Sequence, residues 1–534
     1  MMTRRRLIPM LLVVGLTIST LSAPSQGRAQ VTAFKQAVAE AASQDADIAA
    51  FYRGQGFTGI WTEDSEEHRT RRAALITALR GAASHGLPTA RYDHLTLQAK
   101  LANARTARDQ GLVEVEMTRV FLKYARDVQT GALIPSQIDS GIVREVPSRN
   151  RTETLSGFVQ AQPASYLRGL APRTMEYNAL MKQKLALEAL ARNGGWGPVV
   201  KSSKLEPGQT GNAVVQLRNR LMKMGYLRRS NAQAFDVTMR AAVQQFQTDH
   251  GLEADGVAGP GTLKEINKGI AKRLQSVVVA MERERWFNTD RGDRHILVNL
   301  PDFTAKVIDD GRITFQTRSV IGAGSSDRKT PEFSDVMEFM VINPSWYVPR
   351  SIVTKEYLPA MQRNAGAASH LIITDRNGRQ INRGSVNFNN YNARNFPYSM
   401  RQPPSRGNAL GLVKFMFPNK YNIYLHDTPA KKLFSREVRA FSHGCVRLND
   451  PFDFAYTLLA KQTDDPEGLF QSKLRGGKEV RVILEQPVPV HIIYRTAFTD
   501  ARGEVNYRRD IYGRDALIWG ALQKAGVALS GVQG

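Results

Sequence analysis

The interpretation of this chain rests on two stretches near its end: Tyr424-Leu425-His426-Asp427-Thr428 and Ser442-His443-Gly444-Cys445-Val446-Arg447. The second stretch holds Cys445, the single cysteine among 534 residues, so no intramolecular disulfide can form. Three roles remain open for this residue, namely free-thiol chemistry, packing in a core, and an intermolecular bond. The residues around it favour the first.

The neighbours of Cys445 are those that a nucleophilic thiol needs. A thiol reacts as the thiolate, and an ordinary pKa near ~8.5 leaves little thiolate at neutral pH without a base or a cation nearby. His426 follows Tyr424 by two residues, so one strand presents both rings to the same face. Gly444 permits a sharp turn whose N–H groups can face an oxyanion, and Arg447 adds positive charge. The pattern is compatible with a nucleophilic Cys445 served by His426, and the alternatives from the residues alone are a packed cysteine and a structural histidine.

The residues on either side alternate with a period of two, which is typical of strands. Alternation begins near Arg294, and strands are expected at 337–342, 413–417 and 423–426. A further strand pair is expected after residue 488, in the C-terminal part. These expectations predict a mainly β domain over 293–485, followed by a C-terminal extension at 486–534.

Residues 353–405 interrupt the β pattern. They are rich in Asn, Arg, Gly and Ser and show little periodicity. A segment of this length inside a compact domain is a lid, a small subdomain or disorder. We expect it to form an insertion that caps the β domain.

Two helical regions come first in the chain. Residues 31–200 carry apolar residues at helical spacing and few convergent polar groups, which indicates a scaffold. Residues 205–270 contain three short helical patterns separated by glycine-rich turns. The fold class predicted for the whole chain is therefore multidomain α+β.

The charge and the N-terminus together bear on the partners. Lys and Arg number 73 against 49 Asp and Glu, a formal net charge of +24 that favours polyanions. Arg4, Arg5 and Arg6 precede an apolar run at 7–21, and small residues end at Ala29. Residues 1–29 are predicted to be a signal peptide for export to the periplasm, with an uncleaved inner-membrane anchor as the alternative. Export favours envelope material over nucleic acid, and no nucleic acid is expected as a partner.

The nine histidines and the glycines show no zinc-ligand spacing and no phosphate-binding loop. No metal or cofactor is expected.

The region 293–485 resembles the catalytic domain of L,D-transpeptidases, whose signature is a histidine followed by Ser/Thr-His-Gly-Cys. Supporting matches are Lys329-Thr330-Pro331, Asn343-Pro344 and Asn408-Ala409-Leu410-Gly411. Arg447 stands where many members have Asn, which indicates the large multidomain Gram-negative subgroup. That subgroup has a helical scaffold, a peptidoglycan-binding module and a capping insertion, which here correspond to 31–200, 205–270 and 353–405.

Residues 205–270 resemble the small three-helix peptidoglycan-binding domain. The shared features are Gly-x-x-Gly, Val-x-x-Leu, Gly-Tyr, Thr-x-x-Ala-Val-x-x-Phe-Gln and Gly-Leu-x-x-Asp-Gly, in this order. The alternative is a structural module without a ligand, because these are mostly turn formers and core residues.

The resemblance implies a role for each site residue. Cys445 is the nucleophile, His426 the general base, and the N–H groups of Gly444 and Cys445 the oxyanion donors. The other residues assigned to the substrate and oxyanion site are His443, Tyr424, Ser442, Arg447 and Asn408. The implied reaction acylates the thiol with a tetrapeptide stem, releases D-alanine and transfers the acyl group to a diaminopimelate amine of another muropeptide stem. Sensitivity to carbapenems follows from the same thiol.

The sequence alone does not identify the acceptor of the acyl group. Water would make the enzyme an L,D-carboxypeptidase, and a lysine of an outer-membrane protein would make it an anchoring enzyme. A non-catalytic wall-binding adaptor is the alternative from another class. The insertion is expected to be a mobile lid that selects the substrate, with basic side chains that meet stem carboxylates or form a solvated basic loop; these are Arg363, Arg376, Arg379 and Arg383.

Overall fold

The computed structural model describes residues 26–325, 327–500 and 502–529. Residues 1–25 of the predicted signal peptide lie outside the described residues. No helix in the described part of the chain is both long enough and apolar enough to cross a membrane. The chain divides into two compact units, of which the first comprises the residues up to Ala74, His94–Leu122 and Asn150–Pro163.

The helices are α1 (Gln26–Ala42), α2 (Ala46–Gly54), α3 (Glu66–Arg80), α4 (His94–Asn103), α5 (Ala107–Thr130), α6 (Arg151–Gln160), α7 (Pro163–Gly169), α8 (Met175–Arg192), α9 (Asn212–Lys223), α10 (Val237–Asp249), α11 (Pro260–Ile266), α12 (Ile270–Trp286), α13 (Arg350–Ile352), α14 (Leu358–Arg363), α15 (Pro451–Leu459), α16 (Pro466–Arg475) and α17 (Arg514–Lys524).

The strands are β1 (Arg294–Asn299), β2 (Thr304–Asp309), β3 (Arg312–Gly322), β4 (Phe333–Ile342), β5 (Trp346–Tyr347), β6 (Ile372–Thr374), β7 (Ser399–Gln402), β8 (Val413–Met416), β9 (Leu425–His426), β10 (Ala440–Ser442), β11 (Val446–Leu448), β12 (Val480–Ile493), β13 (Ala497–Thr499) and β14 (Val505–Tyr507).

The first unit is helical and is organised around the buried carboxylate of Glu114 on α5. Glu114 accepts hydrogen bonds from the Tyr52 hydroxyl (2.8 Å) and from the backbone N–H groups of Ile60 (2.6 Å) and Thr62 (2.9 Å). A buried charge is tolerated when its lone pairs are satisfied in this way. The carboxylate therefore fixes the irregular segment that follows α2.

The second unit contains the three-helix domain, formed by α9, α10 and α11 around one apolar core. Its helices start where the sequence provides caps: Gly211 precedes α9, the Asp236 carboxylate accepts from the Met239 N–H at 2.8 Å, and Pro260 opens α11. Helix α12 then leads into the β domain.

The β domain is built on one nine-stranded sheet in the order β10-β3-β11-β9-β8-β4-β12-β1-β2. Strand β2 also pairs with β3, so the sheet closes on itself around an apolar core. The parallel pair β9–β11 places Leu425 level with Val446 and His426 level with Arg447. The two sequence stretches singled out above are thus neighbours in the sheet.

The insertion is a small folded subdomain. A three-stranded sheet in the order β5-β7-β6 encloses its own buried core, which includes Trp346, Leu358, Met400 and Leu410. Of the lid, the subdomain and disorder, the structure has the subdomain. Its core begins before residue 353 and ends after residue 405, because the flanking residues supply part of the apolar surface that the insertion buries.

The C-terminal extension is continuous with the β domain. Strand β12 runs from Val480 to Ile493 and pairs with both β4 and β1, so the predicted boundary at 485 falls inside a strand. The strand expected from residue 488 stops at Ile493, and β13 pairs with β14 as a separate two-stranded sheet.

Candidate active site

One face of the β9–β11 pair carries the predicted catalytic groups. His426 and Arg447 are paired across the two strands and share a face, and Tyr424 and Cys445 lie two residues before them on the same face. With a strand spacing of about 4.8 Å and a rise of about 3.3 Å per residue, the Cα atoms of Cys445 and His426 are roughly 8 Å apart. All four side chains line one cleft.

The thiol lies at the end of a tight turn that only glycine fits well. Gly444 has φ of 122°, and a Cβ at this position would lie 3.1 Å from the Ile423 side chain. The buried Ser442 hydroxyl closes the turn, because it accepts from the Gly444 N–H (3.1 Å) and donates to the Cys445 carbonyl (2.5 Å). Ser442 therefore holds the turn that carries the nucleophile.

This geometry separates the two predicted oxyanion donors. The Gly444 N–H is already donated to Ser442, whereas the Cys445 N–H has no hydrogen-bond partner among the described residues. The Cys445 amide is thus the donor that is free for an oxyanion in this conformation.

A second layer of buried hydrogen bonds supports the turn from below. The Thr330 hydroxyl donates to the Gly444 carbonyl (2.7 Å) and accepts from the Gly322 N–H (2.9 Å). Tyr512 donates to the Gly322 carbonyl (2.6 Å), and Arg514 donates to the Thr330 carbonyl (3.1 Å). Tyr512 and Arg514 belong to the C-terminal extension, which therefore contributes directly to the position of the thiol.

Burial dominates the protonation of the catalytic pair. It raises the pKa of Cys445 to about 11, although hydrogen bonds from Tyr424 and the charge of Arg447 act in the opposite direction. Burial and the nearby Arg447 charge lower the pKa of His426 to about 3. At neutral pH the resting pair is therefore a neutral thiol and a neutral imidazole.

The hydrogen bonds of His426 fix its tautomer. Its Nδ1–H donates to the Asp427 carbonyl at 2.5 Å, which places the lone pair of the neutral ring on Nε2, and the ring also has a hydrogen-bond contact with the Leu410 backbone. No hydrogen bond joins His426 to Cys445 in the described part of the chain. The ring is held by the backbone within the same cleft as the thiol. The thiol itself donates to the Asn422 carbonyl at 3.5 Å, and the Tyr424 hydroxyl also contacts the sulfur.

The cleft has a volume of about 1090 Å³ and lies between the sheet and the insertion. The sheet side contributes the four groups above. The insertion side contributes apolar and polar residues, among them Trp346, Tyr357, His370 and Gln402. A cleft of this size holds a short peptide rather than a single small group.

Exposed ion pairs connect the insertion to the thiol turn. Glu356 lies in a π-helical turn (Val353–Tyr357) between α13 and α14, and its Oε1 accepts from His443 Nε2 (2.6 Å) and from Arg328 (2.5 Å). Lys355 pairs with Asp327 at 2.8 Å. Arg447, in contrast, has no carboxylate partner among the described residues, so its charge is available to a ligand.

Some predicted residues lie elsewhere. Asn408 is fully buried, and its amide donates to the Pro344, Gln402 and Pro403 carbonyls, so it holds the loop before β8 and does not line the cleft. The arginines predicted to meet substrate carboxylates do not line the cleft either. Arg383 donates instead to four backbone carbonyls inside the insertion. Arg379 pairs with Asp375 instead.

Sequence reasoning missed four residues that contact or support the turn: Thr330, Glu356, Tyr512 and Arg514. Thr330 could have been identified from the sequence, because it is part of the Lys329-Thr330-Pro331 match to the family. The other three become visible only when distant segments meet.

The chain matches three protein families. Residues 293–482 match the L,D-transpeptidase catalytic domain, residues 210–266 the family described as "Putative peptidoglycan binding domain", and residues 46–183 a scaffold domain. Residues 293–482 therefore match an L,D-transpeptidase catalytic domain, which stands beside a matched peptidoglycan-binding domain and a matched scaffold domain. This confirms the predicted family resemblance, fold class and enzyme class.

A curated relative agrees with this assignment. The "Putative L,D-transpeptidase" of Haemophilus influenzae is 32% identical over 225 residues, which cover 42% of this chain and 45% of that protein. The chain thus matches less than half of the length of this relative.

Solved structures of L,D-transpeptidases are also similar in part. Those from Xylanimonas cellulosilytica and Stackebrandtia nassauensis are both 15% identical, and each alignment covers 56% of this chain. The alignments cover 100% of the Xylanimonas chain and 97% of the Stackebrandtia chain, with TM-scores of 0.17 and 0.22 respectively. The family matches, not these alignments, carry the assignment.

Proposed function

We propose that this chain is an exported periplasmic enzyme that cross-links peptidoglycan through a thioester on Cys445. The observation that carries the proposal is the convergence of Cys445, His426 and Arg447 on one face of the β9–β11 pair, inside a cleft large enough for a peptide. The adjoining peptidoglycan-binding domain supports peptidoglycan as the substrate.

The first half-reaction forms the acyl-enzyme. The Cys445 proton passes to His426 Nε2 as the sulfur attacks the carbonyl carbon of the L,D peptide bond after the third stem residue. The resulting oxyanion is stabilised by the Cys445 N–H and by the nearby charge of Arg447. The carbon–nitrogen bond then breaks, and D-alanine leaves with the proton that His426 held.

The second half-reaction transfers the acyl group. A side-chain amine of diaminopimelate on another stem attacks the thioester and gives its proton to His426. The carbon–sulfur bond breaks, the proton returns to Cys445, and the product is a cross-link between two third residues. The neutral imidazole of the resting pair is the form that accepts a proton, as both steps require.

The test is a product analysis of the mature protein incubated with disaccharide-tetrapeptide, with and without a lysine-containing peptide, by mass spectrometry. The proposal predicts cross-linked dimers and free D-alanine, both absent with Cys445→Ala. Tripeptide alone would identify a carboxypeptidase, and a conjugate with the lysine peptide would identify an anchoring enzyme. Unchanged substrate would identify a non-catalytic adaptor and overturn the proposal.

A further inference from the structure

A second cavity, of about 730 Å³, lies away from the thiol cleft and is called here the hairpin groove. One wall is the β2–β3 hairpin, and the opposite wall is the peptidoglycan-binding domain at residues 251–254. The loop before β10 and the β13–β14 sheet complete it. Four of its cations form no ion pair with any described residue; they are Lys306, Arg318, Arg436 and Arg439.

The carboxylates of the groove do not neutralise these four cations. Asp302 pairs with Arg508 at 2.6 Å, and Glu437 pairs with Arg509 at 2.6 Å. Asp500 pairs with Arg502, which leaves Glu253 as the lining carboxylate without an ion pair among the described residues. Five lining cations, Arg508 included, face four lining carboxylates, so the groove keeps a net positive charge although Asp302 also acts on Lys306 and Arg439.

The backbone holds two of these cations on one face. Thr304 is level with Arg318 and Lys306 is level with Gln316, so Lys306 and Arg318 project to the same side of the hairpin. Like charges in this arrangement repel each other and attract an anion.

Arg439 completes the cluster of cations from the loop before β10. It donates to the carbonyls of Ser319, Phe303 and Arg436, and its guanidinium lies 5.0 Å from the centroid of the Phe303 ring. Burial and then the charge of Arg318 lower the pKa of Arg439 to about 10, so the two guanidinium groups lie within electrostatic reach. This cation is held in place before any ligand arrives.

The peptidoglycan-binding domain is fixed against the groove. Arg508 donates both to the Asp302 carboxylate (2.6 Å) and to the Asp249 carbonyl at the end of α10 (2.9 Å). The His250 ring stacks on Tyr507 with ring centroids 5.5 Å apart. A polymer bound to this domain would therefore meet the groove at a defined position.

The groove is also close to the thiol along the chain. Arg439 and Cys445 are joined through β10, which pairs with β3. Six residues span at most about 20 Å, so the Cα atoms of Arg439 and Cys445 are no farther apart than this. Two stem peptides of one polymer can lie this close together.

We propose that the hairpin groove is an anion-binding exosite for the carboxylates of stem peptides on polymeric peptidoglycan. It would hold one part of the polymer while another stem enters the thiol cleft. This inference rests on the proposed function for its substrate class, and it adds a binding site that neither the thiol cleft nor the three-helix domain provides.

The test compares two triple variants of the full mature chain, both in a Cys445→Ala background that prevents turnover. The groove variant is Lys306→Gln/Arg318→Gln/Arg436→Gln, which spares the anchored Arg439. The matched control is Lys461→Gln/Lys473→Gln/Arg475→Gln, which removes the same charge from exposed residues outside the groove. Binding to purified sacculi is measured by sedimentation over a salt series, and thermal unfolding confirms that each variant is folded.

The exosite predicts that the groove variant binds sacculi about tenfold more weakly than the parent, because each exposed charge pair contributes a modest share. The control should bind like the parent. Parent protein should lose the same affinity on sacculi whose stem carboxylates have been amidated. Equal loss in both triple variants would mean bulk charge only, and undiminished binding to amidated sacculi would exclude carboxylates; either result overturns the proposal. Acylation of the wild type by a carbapenem is measured separately and reports on the proposed function, not on the groove.

Discussion

The thiol turn is held from two sides by contacts of very different kinds. On the inner side, Thr330 and Tyr512 form buried hydrogen bonds that end at Gly444 and Gly322. On the outer side, Glu356 of the insertion forms an ion pair with Arg328 and a hydrogen bond with His443, and all three side chains are about one-third exposed.

The difference indicates which side can move. Breaking a buried hydrogen bond leaves a polar group without a partner and costs about 1–3 kcal/mol, whereas an exposed ion pair is worth about 0–1 kcal/mol, since water replaces it. We therefore expect the inner side to fix the geometry of the nucleophile. The outer side can open for substrate at little cost.

The largest effect is expected at His426, which is buried at the end of β9. His426→Ala removes the base and should lower the acylation rate of Cys445 by roughly 10²- to 10⁴-fold. The thermal midpoint should change little. Stopped-flow acylation by a carbapenem measures the rate, with His443→Ala on the outer side as the comparison. Near-normal acylation together with a large loss of stability would make His426 a structural residue.

The pH dependence of Cys445 should report the same fixed environment. Because burial raises its pKa to about 11, the thiolate fraction at pH 7 is about 10⁻⁴. The rate of alkylation by iodoacetamide should therefore rise about tenfold per pH unit between pH 7 and pH 10. A plateau already reached at pH 6 would mean a preformed thiolate–imidazolium pair and would contradict the neutral resting state.

Removing one inner hydrogen bond should have an intermediate effect. Thr330→Val leaves the Gly444 carbonyl and the Gly322 N–H without their partner, so the free energy of unfolding should fall by about 1–3 kcal/mol. Acylation of Cys445 should slow as well, because the turn is no longer held. Denaturant unfolding measures the first quantity, and Thr330→Ser, which keeps the hydroxyl, is the control. If Val and Ser behave alike, the hydroxyl does not support the turn.

The smallest effect is expected on the outer side. Glu356→Gln removes the exposed ion pair with Arg328 and weakens the hydrogen bond with His443, and it should change the free energy of unfolding by less than about 1 kcal/mol. Lys355→Gln, which breaks the neighbouring pair with Asp327, should behave in the same way. A loss as large as that of Thr330→Val would show that the insertion fixes the turn as firmly as the inner side does.

The sequence predicted the inner machinery better than its supports. Tyr424 and His426 could be placed on one face because they are two residues apart on a strand, and Cys445 was joined to them through the family motif. Tyr512 and Arg514 could not, because they reach the turn from the C-terminal extension and no local pattern records that contact.

The insertion was harder to predict for a related reason. Its core residues, such as Trp346, Phe388 and Leu410, are far apart in the sequence, so no periodic pattern indicates a folded subdomain. Asn408 was misplaced because a motif match cannot distinguish a side chain that faces the cleft from one that holds the loop behind it. Of the two alternatives for the arginines of the insertion, the solvated basic loop fits the exposed Arg363, Arg376 and Arg379, whereas Arg383 donates to backbone carbonyls.

The most direct test of the central claim is the intact mass of the protein during reaction with disaccharide-tetrapeptide. The account predicts a transient adduct equal to the substrate minus D-alanine, located on Cys445 by peptide mapping. It should be absent in Cys445→Ala and slow to form in His426→Ala. An adduct that persists in Cys445→Ala, or cross-linked product formed without any adduct, would contradict the claim that Cys445 carries the acyl group.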